Sequence, residues 1–205
     1  LLKKIFKKYD ISYIFHAAAY KHLAMLEKNV ATGVENNIFA TLNLIQSINN
    51  KVKSITIIST DKATRPKSVL GMTKRISEIL AQSFVKKRNM KTNLSIVRFG
   101  NVYASQGSLI EVIIDQLKKN EVISIRNKKS ERFFMSVKEA CKLVIASSLI
   151  KLKEKIFIFD MGKPIKIVSL IDNIIQYLDL DKKQIKIKYF PLVKGEKLTE
   201  EISIN

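Results

Sequence analysis

The alternation of two hydrophobic patterns along the chain constrains its fold more than any other feature. Short apolar runs rich in β-branched residues predict strands at Ile11–Phe15, Ser54–Ser59, Leu94–Phe99, Val122–Ile125, Lys155–Phe159 and Gln184–Phe190. Longer stretches with helical spacing predict helices at Val34–Asn50, Leu70–Lys87, Ser108–Lys119, Val137–Leu149 and Val168–Leu178. Apolar strands that alternate with helices indicate an α/β fold, in which helices cover both faces of a parallel sheet.

Composition and charge exclude several function classes. The 205 residues are 46% hydrophobic, which is typical of a packed globular protein, and no apolar run is long enough to predict a membrane span. The single cysteine, Cys141, excludes an internal disulfide and predicts a reducing, cytoplasmic setting. The net charge of +19 comes mostly from lysines that are spread along the chain. Because arginines and aromatic residues do not cluster, we predict no nucleic-acid partner.

Three of the predicted strands end in small or polar residues. Ile11–Phe15 continues into His16-Ala17-Ala18-Ala19, Ser54–Ser59 into Thr60-Asp61-Lys62, and Leu94–Phe99 into Gly100-Asn101. In open parallel sheets, ligands bind beyond the carboxyl ends of the strands. The sequence therefore predicts a ligand site where these three segments meet.

The segment Ser59-Thr60-Asp61-Lys62 allows two interpretations. It can be a strand-to-loop cap, in which the hydroxyls satisfy backbone groups and Asp61 pairs with Lys62 in solvent. It can also be catalytic, because a hydroxyl, a carboxylate and an amine in succession are suited to proton transfer. The alanines after His16 are similarly open to two readings, tight packing or close approach to a flat ligand. His16 itself fits a structural histidine better than a catalytic one.

An ordered set of segments resembles the UDP-N-acetylglucosamine 4,6-dehydratases of the polysaccharide biosynthesis protein family, which are extended short-chain dehydrogenase/reductases. The segments are His16-Ala17-Ala18-Ala19-x-Lys21-His22, Ser59-Thr60-Asp61-Lys62-Ala63, Gly71-x-Thr73-Lys74-Arg75, Arg98-Phe99-Gly100-Asn101-Val102, Arg132-Phe133-Phe134-Met135, Asp160-Met161-Gly162-x-Pro164 and Gly195-Glu196-Lys197-Leu198. They extend over essentially the whole chain. The lysine of the superfamily's Tyr-x-x-x-Lys motif corresponds to Lys74, whereas its tyrosine position holds Leu70; larger members of the family have an apolar Met there.

The resemblance implies catalytic roles for Thr60, Asp61, Lys62 and Lys74. A 4,6-dehydratase oxidises the 4-hydroxyl of the sugar with NAD, removes the carbon-5 proton and the 6-hydroxyl as water, and returns the hydride to carbon 6. Lys62 would be the carbon-5 base and Asp61 would protonate the leaving hydroxyl, while Lys74 would hold the nicotinamide ribose. Because Leu70 cannot titrate, Asp61 or Thr60 must also take the 4-hydroxyl proton. We favour Asp61, since a carboxylate is the better acceptor.

The resemblance also implies the binding residues. NAD or NADP would be contacted or braced by Ala17, Ala18, Ala19, Asn37, Ser59, Lys74, Phe99 and Gly100. A UDP-sugar substrate would be contacted by Lys21, Asn101, Arg132, Lys194 and Glu196. The family's Arg-Pro-Gly-Glu-Lys phrase reads Val193-Lys194-Gly195-Glu196-Lys197 here, so phosphate binding would shift to Lys194 or weaken. No metal is implied, and the aromatic pair Phe133-Phe134 is expected in the core.

We predict that residues 1–107 form part of a Rossmann-type NAD-binding domain, to which residues 136–160 return. Residues 108–135 and 161–205 would form a smaller C-terminal α/β substrate lobe. No glycine-rich phosphate-binding turn is present, and Ile11–Phe15 matches the fourth strand of the family. We therefore expect an N-terminally truncated chain with an exposed sheet edge, weak NAD affinity and doubtful activity of its own. In the complete protein we expect a homo-oligomer, and complete relatives would be anchored at the cytoplasmic face of the membrane.

Two alternative functions remain open at the level of sequence. One is a UDP-sugar 4-epimerase, or a dehydratase with 5-epimerase action. The pair Asp61-Lys62 favours dehydration, because simple 4-epimerisation needs no carbon-5 base. The other is an inert basic fragment without activity.

Overall fold

The computed structural model describes residues 1–103, 107–152 and 155–202. Its strands are β1 (Tyr13–His16), β2 (Ser54–Ile58), β3 (Asn93–Arg98), β4 (Asn101–Val102), β5 (Ile123–Arg126), β6 (Glu131–Arg132), β7 (Phe134–Met135), β8 (Lys155–Ile158), β9 (Ile165–Lys166) and β10 (Ile187–Phe190). Its α-helices are α1 (Leu2–Lys8), α2 (Leu23–Lys28), α3 (Val30–Gly33), α4 (Ala40–Ser47), α5 (Val69–Lys87), α6 (Leu109–Lys118), α7 (Val137–Leu149) and α8 (Ile167–Tyr177). A π-helix spans Val34–Phe39, and short 3-10 turns occupy Asp61–Ala63 and Lys182–Gln184.

A four-stranded sheet forms the centre of the structure. Its strand order is β1-β2-β3-β8, and all three pairings are parallel. The parallel sheet predicted from the apolar runs is therefore confirmed. β1 lies at one edge of this sheet in the described residues, and the Tyr13 and Phe15 side chains there are about half exposed.

Helices pack on both faces of the sheet. On one face Ile45 of α4 and Ala81 and Val85 of α5 pack against buried residues of the two central strands, which are Ile55, Ile57, Leu94 and Ile96. On the other face Ala140 of α7 packs near Val97 and Phe99. Because both faces are covered, nearly every residue of the two central strands is buried, including the polar residues Ser54, Thr56 and Ser95.

A second hydrophobic cluster lies outside the sheet. It consists of residues from α6, β5, β7 and α8, namely Ile113, Leu117, Ile123, Ile125, Phe134, Ile167, Leu170, Ile171 and Ile175. Its strand pair, β5 with β10, is parallel although more than 60 residues separate the two strands. This cluster belongs to the two segments predicted to form the smaller lobe.

The two-residue strands β4, β6, β7 and β9 were not predicted, and the structure departs from the predicted elements in three further places. The helix expected at Val34–Asn50 is divided into the π-helix and α4, and α3 precedes it. The short helix α2, which buries only Leu26, was missed because six residues give no clear periodicity. The last strand begins at Ile187 and not at Gln184, since Lys182–Gln184 forms a 3-10 turn capped by Asp181. Among the described residues, no helix is long and apolar enough to cross a membrane.

Candidate active site

A cavity of about 380 Å³ lies at the carboxyl ends of β1, β2 and β3. Residues at the start of α5 and near the start of α6 also line it. The residues that line it are Ala17, Ala19, Tyr20, Lys21, His22, Ile58, Ser59, Thr60, Lys62, Leu70, Lys74, Phe99, Gly100, Asn101, Val102, Tyr103, Gly107, Ser108, Leu109, Ile110 and Phe134. The structure thus places a cavity where the three polar strand ends predicted a ligand site.

The loop after β2 presents Thr60 and Lys62 to this cavity. The Thr60 hydroxyl donates to Asp61 Oδ1 at 2.8 Å, and the same oxygen accepts from the Lys62 backbone amide at 2.8 Å. Lys62 Nζ donates to it as well, at 3.1 Å. One carboxylate oxygen therefore joins the hydroxyl and the amine that face the cavity.

Asp61 itself does not lie where the sequence led us to expect it. Its side chain is wholly buried and does not line the cavity. Thr60 is the extended residue before the 3-10 turn and lines the cavity, and its hydroxyl bonds to the Asp61 carboxylate, which lies behind it. Asp61 Oδ2 is buried and has no hydrogen-bond partner among the described residues. A sugar bound in the cavity would reach Asp61 through Thr60 or Lys62.

Lys74 is a buried amine at the cavity wall. It lies on the first turns of α5 and is only 5% exposed. Burial lowers its pKa to about 8, an effect that the nearby Glu78 carboxylate partly opposes. Gly71 allows this helix to approach the loop after β2, because a β-carbon there would collide with the carbonyl oxygen of Lys62.

His16 and Asn37 support the site from behind. His16 Nε2 lies 2.9 Å from Thr41 Oγ1, and burial, together with the charge of Lys74, lowers the pKa of His16 to about 4. His16 is therefore neutral near pH 7, as a structural histidine should be. Asn37 accepts from the Tyr20 amide at 2.8 Å and donates to the Tyr20 carbonyl at 3.1 Å and to Thr73 Oγ1 at 3.1 Å. It braces the backbone beside the cavity without lining it.

A buried ion pair between Arg98 and Glu78 lies next to the loop after β2. Glu78 is wholly buried and accepts from the Ser59 hydroxyl at 2.6 Å and from Arg98 Nε at 2.8 Å. Arg98 Nη1 also donates to Thr64 Oγ1 at 3.2 Å. Ser59 lines the cavity, yet its hydroxyl bonds inward to Glu78. Sequence reasoning missed Glu78, although an acidic residue one turn after Lys74 on the apolar face of a helix was a signal.

The predicted site residues fall into two groups. Those that line the cavity are Ala17, Ala19, Lys21, Ser59, Thr60, Lys62, Lys74, Phe99, Gly100 and Asn101. Those that do not are Ala18, Asn37, Asp61, Arg132, Lys194 and Glu196. Arg132 Nη1 donates to the carbonyls of Glu131 and Leu198 at 2.7 and 2.8 Å. Glu196 accepts from the Val193 amide at 2.9 Å within its own turn, and Lys194 is exposed.

Tyr103 and Phe134 form an aromatic wall that the sequence did not reveal as part of the site. Their rings stack with centroids 4.9 Å apart and an interplanar angle of 6°. Burial, assisted by the Glu139 charge, raises the pKa of Tyr103, so its phenol stays protonated near neutral pH. Phe134 belongs to the second hydrophobic cluster, as expected, and also lines the cavity.

Comparisons with known proteins give a consistent family. The model of the polysaccharide biosynthesis protein family matches residues 1–205. The capsular polysaccharide biosynthesis protein CapD of Staphylococcus aureus is 38% identical over 198 residues, which are 96% of this chain and 32% of CapD. A UDP-glucose 4-epimerase of Rickettsia canadensis is 31% identical over 196 residues, 95% of this chain and 56% of that protein.

Among solved structures, Pen from Bacillus thuringiensis superposes with a TM-score of 0.91 at 33% identity. The match covers 100% of this chain and 64% of that one. It confirms the predicted Rossmann-like α/β fold. The chain spans about a third of the length of CapD.

Proposed function

The chain belongs to the polysaccharide biosynthesis protein family of nucleotide-sugar-modifying short-chain dehydrogenase/reductases, and on this premise we propose that it is a nucleotide-sugar 4,6-dehydratase. Its substrate would be of the UDP-N-acetylglucosamine type, and its product would enter bacterial surface polysaccharide biosynthesis. The observation that carries the proposal is the linkage of Thr60 and Lys62, both at the cavity, through the buried Asp61 carboxylate.

The residues around the cavity fit a nicotinamide cofactor, NAD or NADP. Burying the Lys74 amine is unfavourable unless a polar group contacts it, and a cofactor ribose in the cavity would supply such a group. Ala17 and Ala19 leave room for a flat ligand, and Phe99 and Gly100 would lie beside it. A nicotinamide held there would supply the acceptor for the hydride of carbon 4 and the donor of hydride to carbon 6.

Thr60 and Asp61 would move the 4-hydroxyl proton together. Leu70 lines the cavity in place of a phenol and cannot accept a proton. The substrate hydroxyl would donate to Thr60 Oγ1 while the Thr60 hydroxyl donates to Asp61 Oδ1, so Asp61 receives the proton without touching the sugar. Protonated Asp61 would return this proton along the same route to the leaving 6-hydroxyl, which departs as water.

Lys62 would transfer the proton at carbon 5 of the sugar. As a base it takes the carbon-5 proton that the ketone at carbon 4 has made acidic, and it gives a proton back to carbon 5 at the end of the cycle. The net change is the loss of one water. Lys21 and Asn101 line the cavity and are the substrate contacts that the geometry favours. Arg132 and Glu196 would act on substrate only indirectly, through the C-terminal residues to which they hydrogen-bond, and Lys194 is exposed and does not line the cavity.

The direct test supplies the protein with NAD and UDP-N-acetylglucosamine and analyses the nucleotide sugar by mass spectrometry. We expect a 4-keto-6-deoxy sugar that is lighter by one water. The second candidate is a UDP-sugar 4-epimerase, which the similarity to the Rickettsia epimerase favours. A carbon-4 epimer of unchanged mass would support that candidate and remove the dehydratase proposal.

A further inference from the structure

The C-terminal segment, residues 197–202, packs on the loop after β2, residues 59–64. Lys197 Nζ donates to the carbonyl of Thr64 at 3.1 Å, and Thr64 Oγ1 donates to the carbonyl of Ile202 at 3.1 Å. On its other side the segment is held by β6, since the Glu131 amide donates to the Leu198 carbonyl at 2.9 Å. These bonds join the loop at residues 61–64 to a segment more than 130 residues away.

This segment brings a second carboxylate to Lys62. Glu200 Oε1 lies 3.5 Å from Lys62 Nζ, and the Glu200 residue is only 3% exposed. Its other oxygen, Oε2, is buried without a hydrogen-bond partner among the described residues. Burying a carboxylate costs free energy that a single ion pair rarely recovers, so Glu200 is a poor choice for stability alone.

Two carboxylates restrict the Lys62 side chain better than one. Asp61 is the sequence neighbour of Lys62, so their contact at 3.1 Å does not fix the amine relative to the rest of the cavity. Glu200 belongs to a distant part of the chain, so its contact fixes the position of the amine relative to the rest of the structure. A base must be held within a fraction of an ångström of the hydrogen that it removes.

We propose that Glu200 is a positioning residue, which holds the Lys62 amine at the cavity for the proton transfer at carbon 5. The consequence for catalysis rests on the proposed function, whereas the restraint on Lys62 does not. Glu200 is not assigned contact with the substrate, since it does not line the cavity.

The test compares Glu200→Gln with Glu201→Gln, which removes the same charge from the next residue. The Glu201 side chain is 42% exposed and pairs with Arg65 at 3.2 Å. For Glu200→Gln we expect kcat with UDP-N-acetylglucosamine to fall about 100-fold while KM changes less than about twofold, because the base is misplaced and binding is not. The kinetic isotope effect for substrate deuterated at carbon 5 should rise. Glu201→Gln should behave as the wild type.

A second readout does not depend on turnover. Acetic anhydride labels lysine amines, and peptide mass spectrometry gives the labelling rate of Lys62 relative to the exposed lysines of the same sample. Loss of Glu200 frees the amine, so Lys62 should label several-fold faster in Glu200→Gln and unchanged in Glu201→Gln. Equal labelling in all three proteins would overturn the inference. Failure of the wild type to convert the sugar would overturn only the proposed function.

A charge-conserving variant separates the ion pair from a general loss of structure. Glu200→Asp withdraws the carboxylate by one methylene and should lie between the wild type and Glu200→Gln in both labelling rate and isotope effect. If Glu200→Gln fails to fold, Glu200→Asp decides the question alone. A folded Glu200→Asp protein in which Lys62 labels at the same rate as in the wild type would then contradict the proposal.

Discussion

Asp61 Oδ1 accepts hydrogen bonds from the Thr60 hydroxyl, the Lys62 amide and the Lys62 amine. Replacing Asp61 with Asn keeps the shape of the side chain but removes its capacity to take a proton. If Asp61 carries the 4-hydroxyl proton, Asp61→Asn should lower kcat by about 10²- to 10⁴-fold, measured as 4-keto product formed per unit time.

The matched control is Asp10→Asn. Asp10 is exposed and pairs with Lys51 far from the cavity, so this variant should retain wild-type turnover. Undiminished turnover of a folded Asp61→Asn protein would remove Asp61 from the mechanism.

The buried Lys74 amine should lower the free energy of unfolding when no ligand is bound. Its pKa falls from 10.5 to about 8 on burial, which corresponds to about 3 kcal/mol against the ammonium near pH 7. Lys74→Met should therefore raise the free energy of unfolding in urea by about 1–3 kcal/mol, while NAD binding is lost. The stability that Lys74→Met gains over the wild type should shrink as the pH rises from 8 towards 10.5. In that range Lys74 binds more protons in the unfolded chain than in the folded protein, so the wild type itself becomes more stable.

A lysine on the surface of the same helix provides the comparison for Lys74. Lys87 is exposed in the last turn of α5, and Lys87→Met should change the free energy of unfolding by no more than about 0.5 kcal/mol. A Lys74→Met protein that is less stable than the wild type would contradict the view that Lys74 is buried at a cost in stability for the sake of ligand binding.

Because His16 is buried, we expect the protein to lose stability in acid. Its pKa is about 4 in the folded protein and 6.5 in the unfolded chain, so the unfolded state binds more protons between these values. Stability should fall as the pH drops from 6.5 to 4, by up to about 3 kcal/mol. Urea unfolding across this range should give a shallower decline for His16→Gln than for the wild type. Parallel curves would show that His16 does not titrate as its surroundings indicate.

At the scale of elements, Gly195 allows the turn that precedes the C-terminal segment to pack against the start of α5. Its φ is +83°, and a β-carbon there would lie 2.7 Å from Ser68 Cβ and 3.0 Å from Glu27 Oε1. Both of these side chains cap the start of α5, since Ser68 accepts from the Gly71 amide and Glu27 from the Val69 amide. The family phrase Gly195-Glu196-Lys197 thus has a packing role in this structure, beside any role in phosphate binding.

Gly195→Ala combines left-handed strain with a collision. We expect it to lower the free energy of unfolding by about 2–4 kcal/mol in urea titrations. Gly162→Ala is the control, because Gly162 has a φ of +68° and open space around it, so it should lose only about 1 kcal/mol. Equal losses in the two variants would show that contact with Ser68 does not matter.

The elements that the sequence predicted well are those with a clear period. α7 begins and ends as predicted, and the four strands of the parallel sheet lie within two residues of their predicted bounds, because each contains a short run rich in β-branched apolar residues. The π-helix could not be predicted in this way. It contains Asn37, whose side chain bonds to the Tyr20 backbone 17 residues away, and such a distant partner leaves no trace in local periodicity.

At the scale of the molecule, the cavity forms where the sheet and the second hydrophobic cluster meet. The ends of β1, β2 and β3 supply Lys21, Thr60 and Asn101, while Leu109 and Phe134 come from the second cluster. The convergence of strand ends was predictable from the parallel sheet alone. The inward orientation of Asp61 and the approach of Glu200 were not, because both depend on contacts between distant parts of the chain.

The measurement that tests the account most directly is the reaction of UDP-N-acetylglucosamine with NAD and the protein in D₂O. If Thr60, Asp61 and Lys62 act as proposed, the product has lost one water, carries a ketone at carbon 4 and contains one solvent deuterium at carbon 5. Lys62→Met should abolish that deuterium together with the product. A carbon-4 epimer that retains all of its oxygen and carries no deuterium at carbon 5 would contradict the account.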